Sequence, residues 1–137
     1  MLYLLLDHSI NEIDVNELSE MGDDVVLLDA REANEYNVSH IENAKNVGHA
    51  TFSLDSVSGI EKDKKIVIYC SLGKRSENIA KQLVAAGYTD VSNLYGGIFE
   101  WKNRGFSVYN NSLETEKVHA YDKVFGVWLT KGEKVFD

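Results

Sequence analysis

The sequence has no proline and a single cysteine, Cys70. Without proline, turns fall to glycine, asparagine and aspartate. A lone cysteine excludes an internal disulfide, and a structural zinc site needs several Cys and His ligands at short spacing. The four histidines, His8, His40, His49 and His119, are scattered and form no H-E-x-x-H or related pair. No metal site is therefore read, and no cofactor is expected. Positive charge is also scarce: 14 Lys and Arg stand against 22 Asp and Glu, a formal net charge of −8. Such a surface repels phosphate backbones and anionic lipid, which argues against nucleic acid and membrane partners. Long apolar runs are missing too. The apolar start, Met1 to Leu6, stops at Asp7. That is far short of the ~20 residues of a membrane span, and it lacks the basic flank of a signal peptide. It reads as the start of a buried strand or helix. Cytoplasm is the default location, with the periplasm open to a chain whose leader has been removed.

What remains is an ordinary globular composition. The 137 residues, 44% hydrophobic and 26% charged, suit one ordered domain that can fold without staples. Val25 to Leu28 and Ile66 to Tyr69 are short, continuous apolar runs of the kind buried inside parallel sheets. Val91 to Tyr95 is a third strand candidate and Ala44 to Val47 a weaker fourth. Helical periodicity is clearest from Ser76 to Ala86, where Ile79, Ala80, Leu83 and Val84 share a face and Gly87 suits the C-terminal cap. Ile98 to Arg104, closed by Gly105, and Val15 to Met21, before Gly22, are shorter helices. Strands alternating with helices predict an α/β fold with a mainly parallel sheet. Residues 50 to 65 read as a loop with one helical turn. Asn110-Asn-Ser112 breaks the pattern, dividing a domain of residues 10–109 from an extension of 110–137 that packs on or beside it.

The chemistry concentrates in Cys70-Ser-Leu-Gly-Lys-Arg-Ser76. The cysteine ends a strand, where ligand sites form in open α/β sheets. A tight loop, eased by Gly73, then feeds a helix N-terminus, whose first amides lack partners and attract anions. Loop amides, the helix dipole, Lys74 and Arg75 would all favour thiolate over thiol, and the thiolate is the nucleophile. The same cradle would hold an anionic substrate or a transferred sulfur. A buried structural thiol is the bland alternative for a lone cysteine; the Gly-containing basic loop weighs against it.

With Asp29-Ala-Arg31, Glu35-Tyr36, Ser39-His40-Ile41, Asn43-Ala44 and Leu94-Tyr-Gly-Gly-Ile98 with Trp101, in that order around the loop, the chain resembles the rhodanese family over about residues 10 to 109. The resemblance implies a three-layer α/β domain, a central parallel sheet flanked by helices. It implies a sulfurtransferase, thiosulfate sulfurtransferase-like, in which Cys70 takes a sulfane sulfur from a small anionic donor such as thiosulfate. The resulting persulfide passes it to an external thiol, cyanide or protein acceptor. Ser71, Leu72, Gly73, Lys74, Arg75 and Ser76 would form the active loop. From Cys70 to Arg75 the spacing is C-x4-R. Similar phosphatases and arsenate reductases have one residue more, widening the cradle for a tetrahedral group, so the short loop speaks against that activity. The chain departs from the family in having His40-Ile-Glu-Asn-Ala44 and Gly105-Phe-Ser107 where prolines are common.

Other residues invite plainer readings. Arg75 serves mainly to fasten the loop through a carboxylate, while Lys74 reaches outward to steer anions. Ser76 caps its helix, a hydrogen bond to the Cys70 sulfur being the lesser reading. Asp29 and Arg31 form a supporting salt bridge. His40 is structural, because a preformed thiolate needs no base. Gly96-Gly97 makes a tight turn, Trp101 packs the following helix, and the apolar stretch from Val124 to Leu129 packs against the domain. A non-catalytic binding module is the remaining alternative, disfavoured because the cysteine is retained.

Overall fold

The computed structural model describes residues 2–137. Its elements begin with α1 (Leu2–Leu5), β1 (Asn11–Ile13), α2 (Val15–Glu20), β2 (Val26–Asp29), α3 (Ala33–Val38), β3 (Lys45–Asn46) and β4 (Ile66–Tyr69). They continue with α4 (Lys74–Ala85), β5 (Val91–Leu94), α5 (Gly97–Asn103), β6 (Val108–Asn110), β7 (Leu113–Thr115), β8 (Lys117–His119) and β9 (Glu133–Val135). Five strands form one sheet in the order β1-β5-β4-β2-β3, and every pairing in it is parallel.

Side chains alternate across this sheet, as the two-residue period of a strand requires. Leu27, Val67, Tyr69 and Leu94 face a cluster with Val15 and Leu18 of α2 and Ile98, Phe99 and Trp101 of α5. Leu28, Ile66, Ile68 and Val91 face the opposite cluster with Ile79, Ala80 and Leu83 of α4. Helices thus cover both faces, and the apolar runs of β2 and β4 are buried on each side. The loop between β3 and β4 carries a single 3-10 turn, Leu54–Val57.

Local chemistry explains the helix ends. Asp14 and Glu17 form a reciprocal capping box at α2. Gly87 at φ +101° ends α4, and Gly105 at φ +90° follows α5.

Three readings need correction. The N-terminal run is a helical turn rather than a buried one: Tyr3 is 65% exposed and Leu4 83%, and Leu6 is the residue of the run that is buried. Met1 lies outside the described residues. The polar stretch at 110–112 is a hairpin turn, not a break. Asn110 pairs with Leu113, and Asn111 takes φ +57°, so β6 and β7 straddle the boundary drawn there. Ser76 is not a cap: α4 starts two residues earlier and Gly73 holds the cap position.

The segment after residue 116 is integrated with the domain. Val118 and Leu129 enter the core cluster of α2 and α5. Asn103 at the end of α5 donates to the Trp128 carbonyl at 2.8 Å and accepts from the Thr130 amide at 2.7 Å. Among the described residues, no helix is long and apolar enough to cross a membrane.

Candidate active site

Strand β4 occupies the middle of the sheet, and Cys70 follows its last residue, buried at the carboxyl edge. The chain then turns through Ser71 and Leu72 into Gly73, whose φ of +132° is open to glycine and strained for other residues. The turn folds back on the sulfur. The Gly73 amide donates to Cys70 Sγ at 3.1 Å, and the Ser76 hydroxyl lies 3.4 Å from it. The opening amides of α4 lie in the same turn, without carbonyl partners of their own in the helix.

Two neighbours fix this loop from behind. Gly97, at the start of α5, lies against it so closely that a Cβ there would stand 2.4 Å from the Cys70 carbonyl oxygen and 2.5 Å from that of Ser71. Those carbonyls accept from the amides of Ile98 at 2.9 Å and Phe99 at 3.1 Å. Asn93 on β5 is fully buried; its amide donates to the Gly73 carbonyl at 3.0 Å, and its oxygen accepts from Ser76 at 2.6 Å. The single Ser76 proton therefore has Asn93 as its nearer acceptor and the sulfur as its farther one.

The charges are unevenly committed. Arg75 donates both terminal nitrogens to Glu35 of α3, at 2.7 and 2.8 Å, and one of them to Ser71 Oγ at 3.0 Å. Burial works to raise the Glu35 carboxyl, but the paired guanidinium outweighs it and holds the group below its usual range. Lys74 is 57% exposed, its ammonium 4.0 Å from the buried Glu77. It is the cation of the loop that is open to solvent. Asp29 and Arg31 lie a step away. They pair at 2.7 Å with both side chains fully buried, and Arg31 also donates to the Ser39 carbonyl, just past the end of α3, at 2.7 Å. Arg31 thereby ties β2 to the end of α3, the helix that carries Glu35. His40 is engaged elsewhere, its Nδ1 3.0 Å from the Tyr36 carbonyl and its ring stacked on Tyr36.

A pocket of about 120 Å³ opens over the cysteine, walled by Leu72, Arg75, Leu5, Tyr121 and Phe125. A larger cleft, about 850 Å³ between Leu18, Met21, Trp101 and Phe106, shares no residue with it. The loop of residues 70–76 is legible as a unit; Glu35 enters the sequence reading only as part of the family pattern, and Asn93, Tyr121 and Phe125 have no place at the site there. Glu35 and Asn93 are polar residues facing inward, which hydrophobic periodicity does not register. Tyr121 and Phe125 come from the far end of the sequence.

Residues 14–104 match the family model described as a rhodanese-like domain. The chain belongs to the rhodanese-like domain family. It is 35% identical over 102 residues to a sulfurtransferase of Allochromatium vinosum, covering 72% of this chain and 94% of that protein. It is 34% identical over 79 residues to the thiosulfate sulfurtransferase GlpE of Coxiella burnetii, covering 58% and 73%. Among solved structures, the rhodanese-like domain of an Anabaena protein superposes with a TM-score of 0.65 at 27% identity, covering 74% of this chain and 81% of that one. The rhodanese-like domain also matches longer proteins. It spans only 32% of the tRNA uridine(34) hydroxylase of an Enterobacter species, to which it is 32% identical over 111 residues.

The Glu35–Arg75 pair carries a pH dependence. Glu35 titrates lower in the folded protein than its ordinary 4.5, so the unfolded chain takes up the proton first as pH falls. The stabilisation is fully present above that value and is lost as pH drops through the lower folded one. Urea midpoints between pH 7 and pH 3 should show a steeper acid decline for the wild type than for Glu35→Gln, which is less stable at neutral pH. Asp7 and Asp137, also lowered, titrate in both proteins and cancel in the difference. Parallel acid limbs would refute the assignment.

Proposed function

We propose that this domain is a rhodanese-type sulfurtransferase that carries a sulfane sulfur on Cys70 as a persulfide, with thiosulfate as a competent donor. The observation that carries the reading is the cradle itself: a cysteine sulfur buried at the carboxyl end of the central strand, facing the Gly73 amide and the start of α4. In the first half-reaction the Cys70 thiolate attacks the outer sulfur of thiosulfate. The new S–S bond forms as the old one breaks, and sulfite leaves with the electron pair. In the second, an external thiolate or cyanide takes the outer sulfur and Cys70 leaves as thiolate. The Gly73 amide, at 3.1 Å, offers a hydrogen bond to negative charge on the Cys70 sulfur, and the Ser76 hydroxyl offers one only when its proton turns away from Asn93. Lys74 supplies long-range attraction for the anionic donor. No second cysteine exists to resolve the persulfide, so the acceptor must come from outside.

The likeness to proteins named sulfurtransferases supports this reading over phosphoryl transfer, as does the short loop. The hydroxylase relatives place similar domains inside larger proteins, and a charge of −8 gives this chain little affinity for RNA on its own. The test is intact mass after incubation with thiosulfate, before and after a reductant. The expected result is a gain of one sulfur atom, reversed by the reductant. With a single cysteine, Cys70 is the expected carrier, and Cys70→Ser tests that location. No gain from thiosulfate or other sulfane donors would leave a binding role in place of the chemistry.

A further inference from the structure

We propose that Tyr121 and Phe125 are specificity-determining residues that restrict Cys70 to small sulfur donors and acceptors and exclude thiols of tripeptide size. The inference rests on the sulfurtransferase reading for its substrates, but its geometry stands alone. The pocket above the sulfur is about 120 Å³. Tyr121 and Phe125 form part of the wall of this narrow space over the sulfur. Thiosulfate and cyanide can enter whole, whereas a tripeptide thiol such as glutathione must bring its peptide body up against the Tyr121 and Phe125 rings.

The wall is fastened, not loosely draped. The Tyr121 ring lies 4.6 Å from the Arg75 guanidinium carbon, a cation–π contact on the arginine that Glu35 already holds. Tyr121 sits at φ +70°, a conformation that non-glycine residues rarely adopt, and its amide donates to His119 Nδ1 at 3.0 Å. The Phe125 amide donates to Asp122 Oδ1 at 2.7 Å, and Val118, Ala120 and Leu129 are buried on either side. With Leu5 and Leu72 also in the wall, the lining is mostly apolar, and Lys74 and Arg75 are its cations. Tyr121 also covers Arg75, leaving Lys74 as the cation that an incoming anion meets.

Alkylation of Cys70 reads the wall without depending on sulfur chemistry. In the full chain, the rates with iodoacetamide and with a bulky fluorescein maleimide are compared for wild type, Tyr121→Ala, Phe125→Ala and Tyr121→Phe. The two alanine variants should raise the bulky-to-small rate ratio on the order of tenfold, the scale on which pocket shape discriminates. Tyr121→Phe retains the ring and should stay near wild type. Phe125→Trp, which fills the entrance further, should lower the ratio and serves if an alanine variant fails to fold. An unchanged ratio across these variants would overturn the proposal. Loading with glutathione persulfide, faster in the alanine variants than in wild type, extends the test to sulfur. If the ratio shifts while no donor loads any protein, the wall stands and the sulfurtransferase reading falls.

Discussion

Asp29→Ala should destabilise the domain by about 3–5 kcal/mol, the scale for removing one partner of a buried ion pair. Arg31 is fully buried, and Asp29 is its carboxylate partner, receiving Nη2 at 2.7 Å and Nε at 3.1 Å. Burial opposes the Arg31 charge, and Asp29 more than compensates, holding the guanidinium in its charged form. Without Asp29 the guanidinium keeps the Ser39 carbonyl and the face of Tyr69, 5.7 Å from the ring centre, while its Nη1 already has no partner among the described residues. Against a typical total of about 5–15 kcal/mol, such a loss leaves the chain marginal. A companion variant separates a lost attraction from a stranded charge. Asp29→Ala combined with Arg31→Met removes both charges and should be more stable than Asp29→Ala alone, because well-packed apolar groups replace buried pairs at little loss. Urea unfolding midpoints decide it. A single variant within ~1 kcal/mol of wild type, the scale of an exposed pair, would mean that the pair carries no structural weight.

That pair also shows how far the sequence could be read. Strands β2 and β4 were legible because their apolar runs are buried on both faces, and α4 because its inward residues recur at helical spacing. Strand β1 was not, since its three residues, Asn11 to Ile13, form an exposed to half-buried edge with no apolar run. Helix α3 is only six residues long and turns a glutamate inward, the reverse of the usual pattern. The loop from Cys70 to Ser76 was legible through its order of residue types, but its fastening was not. Glu35 and Asn93 reach it from other elements, and Gly97 matters through the Cβ it lacks. Sequence spacing marked Cys70 and the loop around it; only the folded chain brings Tyr121 and Phe125 to the pocket.

Cys70→Ser should abolish sulfur loading while leaving the fold intact. The substitution is close to isosteric, and a serine oxygen in that position can accept from the Gly73 amide that now reaches Sγ at 3.1 Å. Stability should therefore stay within about 1 kcal/mol of wild type, the scale of one hydrogen bond exchanged for another. The chemistry has no such substitute. Sulfur transfer needs a thiolate to attack the donor and to leave when the acceptor arrives, and a hydroxyl near neutral pH does neither. The measurement is intact mass after thiosulfate, with circular dichroism on the same sample. Loss of the sulfur adduct in a folded protein assigns the persulfide to Cys70. An adduct that survives the substitution would place the sulfur elsewhere and remove the basis of the proposed reaction. Lys74→Ala sharpens the same experiment, because the cation lies at the rim of the pocket and outside the hydrogen bonds to the sulfur. Its loss should slow loading without abolishing it, and added salt should narrow the gap to wild type by screening the attraction that Lys74 provides.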